Sequence, residues 1–205
     1  MSSNGTSMDA WEVEKQRSLA RLREDATRGK VDSDIMGLLE LINSLEDYYT
    51  TSSCSGRIQI AEVRYPWEKW DYRVLGKWHR PITLEEAHEC ISKGKQNVWY
   101  MVQPPIVHVA ARTLEAARRL LVIARQSGFK HSGIQGIRSH RIIVEVLCMD
   151  KMEVPLIYEG RWLFRREELR TLVSIGNELL LKGKRRLRNL EDNLRRSLRV
   201  ISYHE

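Results

Sequence analysis

The sequence lacks the features that would place the protein in a membrane or outside the cell. It has no apolar run long enough to span a bilayer, and residues 1–9 are mostly small and polar, unlike a hydrophobic leader or an Arg-rich transit peptide. We therefore expect a cytoplasmic protein with no membrane partner. With 205 residues, 42% of them hydrophobic, the chain is long enough to bury a core.

Cysteine is scarce, and several common site motifs are absent. Cys54, Cys90 and Cys148 are odd in number, widely separated and outside any CxxC or His/Cys ligand spacing, so neither a disulfide framework nor a metal site is predicted. The sequence contains no GxGxxG after a strand, no GxxxxGK[ST] and no HExxH. A nucleotide-like cofactor would therefore not be bound through the common doubly wound fingerprint.

Positive charge in excess of negative charge is concentrated at one end of the chain. The formal net charge is +7. Residues 161–205 hold 12 Lys and Arg against 6 Asp and Glu, whereas the preceding 160 residues hold 22 against 21. At helical spacing Lys184, Arg188, Arg195 and Arg199 share one face, which indicates a basic stripe for a polyanionic partner. The alternative is a charged helix face that is simply solvated.

The most distinctive stretch is rich in hydroxyl side chains. Residues 49–57 read Tyr-Thr-Thr-Ser-Ser-Cys-Ser-Gly-Arg, between an apolar helix pattern and an alternating strand pattern, so we predict a loop. Gly56 would let the backbone turn or approach a ligand, and Arg57 would offer a fork of donors to a phosphate or carboxylate. The alternative is a polar turn whose hydroxyls bond their own backbone.

The same stretch contains three candidate nucleophiles. The thiol of Cys54 is separated by only two residues from the next arginine, too few for a phosphatase-type Cys loop, so an inert thiol is favoured. Ser53 or Ser55 as an activated hydroxyl would need a base, and His79 and His108 are the candidates. The spacing alone leaves both serines and both histidines open.

Tryptophan is frequent, and three of the six lie close together. Trp67, Trp70 and Trp78 fall within twelve residues, interleaved with Lys and Arg, which suits stacking on unpaired bases. The alternative is ordinary aromatic packing in the core and at its rim. His108 lies between two valines, as either a functional group or a core histidine with satisfied hydrogen bonds.

The order of helix and strand patterns predicts an α+β fold. We expect one mixed central sheet with helices packed on it, an N-terminal helix pair and a basic C-terminal helical tail. The clearest helix follows Thr113, with Leu114 among its inward residues. Thr83 and Glu86 predict a capping box at the start of another helix.

Along its length the chain divides into three expected segments. These are a charged N-terminal helix at 1–30, a core at 31–160 and a basic helical segment at 161–205. In the last segment the three-four spacing of leucines predicts one long helix or two consecutive ones, with Gly183 as a candidate break.

Five sequence blocks occur in a characteristic order. They are Ser-Ser-Cys-Ser-Gly-Arg at 52–57, Gly-Lys-Trp-His at 76–79, Pro-Pro-Ile-Val-His-Val at 104–109, Gly-Phe-Lys-His-Ser-Gly-Ile at 128–134 and Arg-Ile-Ile-Val-Glu-Val at 141–146. Through these blocks, across roughly residues 30–160, the chain resembles the tRNA wybutosine-synthesizing protein 3 family in its archaeal form. One departure is Gln103 before Pro104, where the family pattern has glutamate.

The resemblance implies an S-adenosylmethionine-dependent N-methyltransferase with a fold unlike the Rossmann methyltransferases. Its substrate would be the tricyclic wybutosine-precursor base next to the anticodon of phenylalanine tRNA, and no stable protein partner is evident. The rival interpretations are a non-catalytic tRNA-binding module and a Cys or Ser hydrolase.

From the resemblance and the residues together we assign expected roles to thirteen residues. The catalytic group is His108, Ser53 and Arg57; Ser55, Gly56, Ser132 and Gly133 would bind the cofactor; and Trp78, His79, Arg141, Lys184, Arg188 and Arg195 would bind the tRNA. This assignment assumes that the hydroxyl-rich stretch, the His108 strand and the turn at 132–133 border one cavity.

Overall fold

The computed structural model describes the backbone of residues 9–68, 70–138 and 140–201, and side chains in the same ranges up to residue 197. Its helices are α1 (Ala10–Thr27), α2 (Met36–Ser44), α3 (Leu84–Ile91), α4 (Leu114–Gln126) and α5 (Arg166–Ile201), and a 3-10 turn at Ser33–Ile35 leads into α2. Its strands are β1 (Tyr48–Cys54), β2 (Arg57–Glu62), β3 (Arg73–Trp78), β4 (Val98–Gln103), β5 (Ile106–Ala111), β6 (Gly133–Arg138), β7 (Arg141–Leu147), β8 (Met152–Tyr158) and β9 (Arg161–Trp162). No described helix is long and apolar enough to cross a bilayer.

These elements form two compact units, each assembled from segments distant in sequence. The first unit contains the described residues up to Cys54, Ile106–Leu147 and the residues from Arg188 onward, and the second contains Ser55–Pro105 and Cys148–Leu187. The three-segment division expected from the sequence stays a prediction.

The first unit is built on a four-stranded antiparallel sheet in the order β1-β5-β7-β6. In β7 the residues Ile142, Val144 and Val146 are buried, while the residues between them are only partly covered. Because side chains alternate across a strand, β7 has one apolar face and one mixed face. Helix α4 contacts β5 and β7. Helix α1 is anchored by Trp11, whose ring lies 4.8 Å from that of Tyr49 in β1.

The second unit is built on a five-stranded antiparallel sheet in the order β3-β2-β4-β8-β9. Its core joins the sheet to α3 and to the first part of α5 through Ile58, Tyr100, Ile91, Val173 and Leu180, among others. The Tyr100 hydroxyl is buried and has no hydrogen-bond partner among the described residues, and burial raises its pKa. A methyl group at Gly176 of α5 would overlap this hydroxyl.

The α+β class is confirmed, but the single mixed sheet is wrong. Every strand pairing among the described residues is antiparallel, and the strands belong to two separate sheets. This arrangement also differs from the parallel doubly wound sheet of Rossmann proteins, as expected. The capping box of Thr83 and Glu86 is present at the start of α3, as predicted.

The loop predicted at residues 49–57 is also wrong. Residues 48–54 form strand β1, which pairs along its length with β5, and only Ser55 and Gly56 separate it from β2. Threonine favours strands because its branched side chain fits a pleated surface, and pairing with β5 satisfies the backbone groups that a loop would leave to water. The turn itself needs Gly56, whose φ is +90°.

One detail of the helices differs from expectation, and the choice between one long C-terminal helix and two is settled in favour of one. Leu114 is 61% exposed; it is the first residue of α4, and the buried residues of this helix begin at Ala116. Helix α5 runs without a break through Gly183 and is 36 residues long in total. A side chain at Gly183 would collide with the ring of Pro105, so this glycine permits close packing inside the second unit.

Candidate active site

A row of hydrogen-bonded polar side chains crosses the sheet of the first unit. Ser52 Oγ lies 2.9 Å from His108 Nδ1, and His108 Nε2 lies 3.0 Å from Glu145 Oε1. Gln135 Nε2 donates to the same Glu145 oxygen. One residue comes from each of β1, β5, β7 and β6, so the row follows the order of the strands.

A β-bulge in β1 determines which hydroxyl meets His108. Thr50 pairs with Val109, but the next paired residue is Ser52, opposite His108, because the register shifts between Thr50 and Ser52. In a regular ladder Thr51 would stand opposite His108 instead. The extra residue therefore brings Ser52, an exposed serine, next to the imidazole.

The hydrogen-bond partners of His108 determine which ring nitrogen of the neutral imidazole carries the hydrogen. An ionised carboxylate can only accept, so Nε2–H donates to Glu145, and Nδ1 of the neutral ring accepts from the Ser52 hydroxyl. The side chains of His108 and Glu145 are 24% and 18% exposed, so the pair is largely shielded but still reachable. Such a row can take up a proton at Nδ1 and stabilise the resulting imidazolium through Glu145.

A second polar cluster fastens α1 to the same sheet. The Glu14 carboxylate accepts from Tyr49 Oη at 2.8 Å, from His140 Nε2 at 3.0 Å and from Arg141 Nη1 at 2.6 Å. Burial acts to raise the pKa of Glu14, but hydrogen bonds from Tyr49 and His140 and the Arg141 charge outweigh it, so this pKa lies below its ordinary range. Arg141, expected to bind tRNA, is thus already paired within the first unit.

A cleft of about 400 Å³ opens between the end of α1 and strand β1. Its lining includes Arg21 and Asp25 of α1, the following Lys30, residues 50–53 of β1 and Arg141. Ser52 therefore belongs both to the cleft and to the His108 row. Ser53, the expected catalytic serine, pairs with Val107 in the sheet and also lines the cleft.

The expected cofactor-binding turn at residues 132–133 lies beside the row. Ser132 is buried, donates to the Phe129 carbonyl at 2.8 Å and accepts from Leu147 N–H at 3.1 Å, so its hydroxyl shapes the turn. Gly133 stands directly opposite Glu145, and a Cβ at this glycine would meet nothing within 4 Å. Open space therefore adjoins the glutamate.

The remaining residues of the hydroxyl-rich stretch belong to the second unit. A Cβ on Gly56 would approach the Gln103 carbonyl oxygen to 3.2 Å, so this turn is closely packed. His79 Nδ1 donates to the Gly56 carbonyl at 3.0 Å, and Lys184 Nζ donates to Ser55 Oγ at 3.1 Å. The assumption that one cavity joins all three predicted segments stays a prediction.

Two residues at the edge of this turn bear on anion binding. Arg57 is half-buried, and its Nε is buried with no hydrogen-bond partner among the described residues. Gln103, at the position where the resemblance led us to expect glutamate, donates to Glu153 Oε1 at 3.3 Å, so a carboxylate is close to this position.

The tryptophans expected to stack on bases differ in exposure. Trp78 is half-buried against the core of the second unit. Trp67 and Trp70 are 73% and 86% exposed, and the Trp67 ring stacks on Tyr65 with centroids 4.8 Å apart. Lys69, between them, lies outside the described residues.

The role of the basic stripe on α5 in tRNA binding stays a prediction. Arg188 is exposed, whereas Arg195 donates to Glu191 Oε1 at 2.7 Å and Lys184 to Ser55. The side chain of Arg199 lies outside the described residues.

From the sequence we did not identify Ser52, Glu145 or the cleft as parts of the site. The one available signal was that residues 145 and 108 both lie in alternating strand patterns.

Shielded histidine and glutamate side chains in a hydrogen-bonded row beside a charged cleft are typical of an enzyme that moves a proton on a polar substrate.

Solved structures share the fold. The PH1069 protein from Pyrococcus horikoshii matches with a TM-score of 0.87 and 39% identity, covering 90% of this chain and 95% of that one. A hypothetical protein from Aeropyrum pernix matches with a TM-score of 0.73 and 32% identity, covering 80% and 96%.

The family model described as Methyltransferase TYW3 matches residues 13–196, and the chain belongs to this family. A relative from Pyrococcus furiosus is 42% identical over 90% of this chain and 94% of its own length; it is named tRNA(Phe) 7-((3-amino-3-carboxypropyl)-4-demethylwyosine(37)-N(4))-methyltransferase 1. The enzyme of the same name numbered 2, from Thermococcus kodakarensis, is 45% identical over 89% of this chain and 86% of its own. The predicted family is thereby confirmed, and the hydrolase and non-catalytic interpretations are set aside.

Proposed function

We propose that this protein transfers a methyl group from S-adenosylmethionine to N4 of 7-(3-amino-3-carboxypropyl)-4-demethylwyosine at position 37 of phenylalanine tRNA. The names of relatives that match nearly the whole chain support the acceptor. The family description supports methyl transfer. The observation that carries the proposal at the level of residues is the row Ser52–His108–Glu145.

The row suits the proton chemistry of this reaction. S-adenosylmethionine, when bound, would supply a methyl group on a positively charged sulfur. The N–C bond would form as the C–S bond breaks with its electron pair staying on sulfur, and the ring nitrogen would have to lose a proton. Ser52 is the exposed end of the row, so its hydroxyl would take the N4 proton while passing its own to His108 Nδ1. Glu145 would stabilise the imidazolium that results.

In the second unit, Arg57 supports an anion contact. The Arg57 side chain is only half-buried, and its planar guanidinium suits a carboxylate or phosphate oxygen. Arg57, with Ser55 and Gly56 in the adjoining turn, would then contact the donor's carboxylate or an RNA phosphate. Arg188, Arg195 and the exposed Trp67 and Trp70 would contribute tRNA affinity, through phosphate contacts and base stacking.

The direct test is methylation of phenylalanine tRNA that carries the demethylated base, followed by mass spectrometry of its nucleosides. The wild-type protein should add one methyl group, and His108→Ala should lower kcat by about 10²- to 10⁴-fold, the usual contribution of a general base. His131→Ala is the matched control, because His131 is an exposed histidine of the same unit outside the row. No methylation by the wild type would refute the function, and full activity of His108→Ala would refute the site.

A further inference from the structure

The cleft between α1 and β1 has the size and position of a ligand subsite. Its volume of about 400 Å³ lies within the range of roughly 300–1,000 Å³ typical of small-molecule pockets. Its lining combines Arg21, Asp25 and Lys30 with the hydroxyls of β1, including Ser52. The proposed proton transfer uses only Ser52, and Arg141, which also lines the cleft, is paired with Glu14, so Arg21, Asp25 and Lys30 have no role assigned so far.

The backbone conformation at the C-terminal end of α1 positions Lys30. Gly29 has a φ of +65°, its N–H donates to the Ala26 carbonyl at 3.0 Å, and the Lys30 N–H donates to the Asp25 carbonyl at 2.9 Å. This pair of hydrogen bonds is a Schellman motif, which needs a left-handed residue at Gly29. The motif turns the chain back on the helix and holds Lys30 beside Asp25.

The charges are close together, but their contacts are loose. Arg21 Nε lies 3.6 Å from Asp25 Oδ2, and Lys30 Nζ lies 3.9 Å from Asp25 Oδ1. Charge-assisted hydrogen bonds are shorter, about 2.7–2.9 Å. All three groups therefore retain hydrogen-bonding capacity towards a ligand, and they present both signs of charge.

We infer that this cleft binds an α-amino acid group, with its carboxylate on Arg21 and Lys30 and its ammonium on Asp25. A guanidinium and an ammonium suit a carboxylate, and an aspartate suits an ammonium. A phosphate would be attracted by the two cations but repelled by Asp25, so a zwitterion fits the lining better. The cations outnumber Asp25, so the carboxylate end should form more of the contacts.

This inference rests on the proposed function, in which two molecules carry such a group. The acceptor base bears a 3-amino-3-carboxypropyl side chain, and the methyl donor ends in the same amino acid group. Because Ser52 lines the cleft and also bonds His108, a group bound in the cleft lies next to the proposed proton acceptor. The side chain of the base is therefore the favoured source.

The test uses two phenylalanine tRNAs, one with 7-(3-amino-3-carboxypropyl)-4-demethylwyosine and one with 4-demethylwyosine that lacks the side chain. Steady-state methylation gives kcat/KM for each tRNA and KM for S-adenosylmethionine. The proteins compared are wild type, Arg21→Ala, Asp25→Asn and the control Arg23→Ala. Arg23 is exposed on α1 but does not line the cleft, so it reports the general loss of one positive charge.

If the base is the source, wild type should prefer the tRNA with the side chain by about 3- to 10-fold, the value of one or two ionic contacts to partly exposed side chains. Arg21→Ala and Asp25→Asn should then lose that preference, with KM for the donor unchanged. If the donor is the source, the same variants should raise its KM by a similar factor with either tRNA. Arg23→Ala should change neither quantity.

Wild-type-like preference and donor KM in both cleft variants would overturn the inference while leaving the proposed function intact. Methylation of neither tRNA by the wild type would refute the proposed function and, with it, this inference. Equal losses in Arg23→Ala and Arg21→Ala would also overturn it, because they would trace the effect to general attraction of tRNA. Circular dichroism of each variant separates these outcomes from unfolding.

Discussion

Replacing Glu145 by glutamine isolates the charge of the catalytic row. Glutamine keeps an acceptor oxygen for His108 Nε2–H and nearly the same shape, but it cannot stabilise an imidazolium by its charge. The two atoms are 3.0 Å apart. Unit charges at that distance attract by about 5–6 kcal/mol at an effective dielectric constant of ~20.

That attraction is an upper bound, because both side chains are partly exposed. A hydrogen bond to a charged group contributes about 1.5–3 kcal/mol net. The imidazolium forms only as the proton is transferred, so the loss should fall on kcat, by roughly 10- to 150-fold, with KM for tRNA unchanged.

Single-turnover methylation with labelled donor would measure this loss for Glu145→Gln. Gln135→Ala is the control within the row: it removes the other hydrogen bond to the Glu145 oxygen but leaves the charge in place. We expect a much smaller effect from Gln135→Ala. A wild-type rate for Glu145→Gln, or an equal loss in Gln135→Ala, would show that His108 does not become charged during the reaction.

Three further predictions concern stability and tRNA binding. Gly176→Ala should lower the free energy of unfolding in urea by about 1–3 kcal/mol, because its methyl group would overlap the Tyr100 hydroxyl and overpack the core; an unchanged midpoint would contradict this packing. The pKa of Glu14 is held below its ordinary range, so its ionised form adds stability above the ordinary glutamate pKa of about 4.3, and this is lost as the pH falls through the lowered value. Glu14→Gln should therefore be less stable than wild type at pH 7, and the difference should vanish at the lowest pH where both fold; a constant difference would disprove the linkage. Trp70→Ala should weaken tRNA binding by about 1–3 kcal/mol if its exposed ring stacks on a base, as should Trp67→Ala; a filter-binding Kd equal to that of the wild type would exclude the stacking.

Local features of the fold could be predicted because short-range chemistry determines them. Thr113 caps α4 by accepting from the Ala116 N–H, and the Thr83 capping box starts α3, since each needs only neighbours three residues away. The alternation of buried and partly covered residues in β7 could likewise be predicted, because a strand with one apolar face has a hydrophobic period of two. These features establish the class of fold.

The division into two sheets and the composition of the site depend on long-range pairing. His108 could be proposed as a base from its residue type, but its partner could not, because a bulge of one residue decides between Thr51 and Ser52. The charged cleft requires α1 to dock on the sheet, which depends on Glu14 meeting Arg141, a residue more than a hundred positions away. Local sequence patterns do not predict that contact.

At the end of α1 the backbone turn is required for the fold, whereas the side chain at position 30 is not. The backbone of Gly29 and the carbonyls of Ala26 and Asp25 form the Schellman turn, so its geometry does not require any particular side chain at Lys30. Substitution at that position can therefore exchange the chemistry offered to a ligand without redesigning the helix that presents it. An enzyme with this turn could adapt to a differently decorated nucleoside through a single codon.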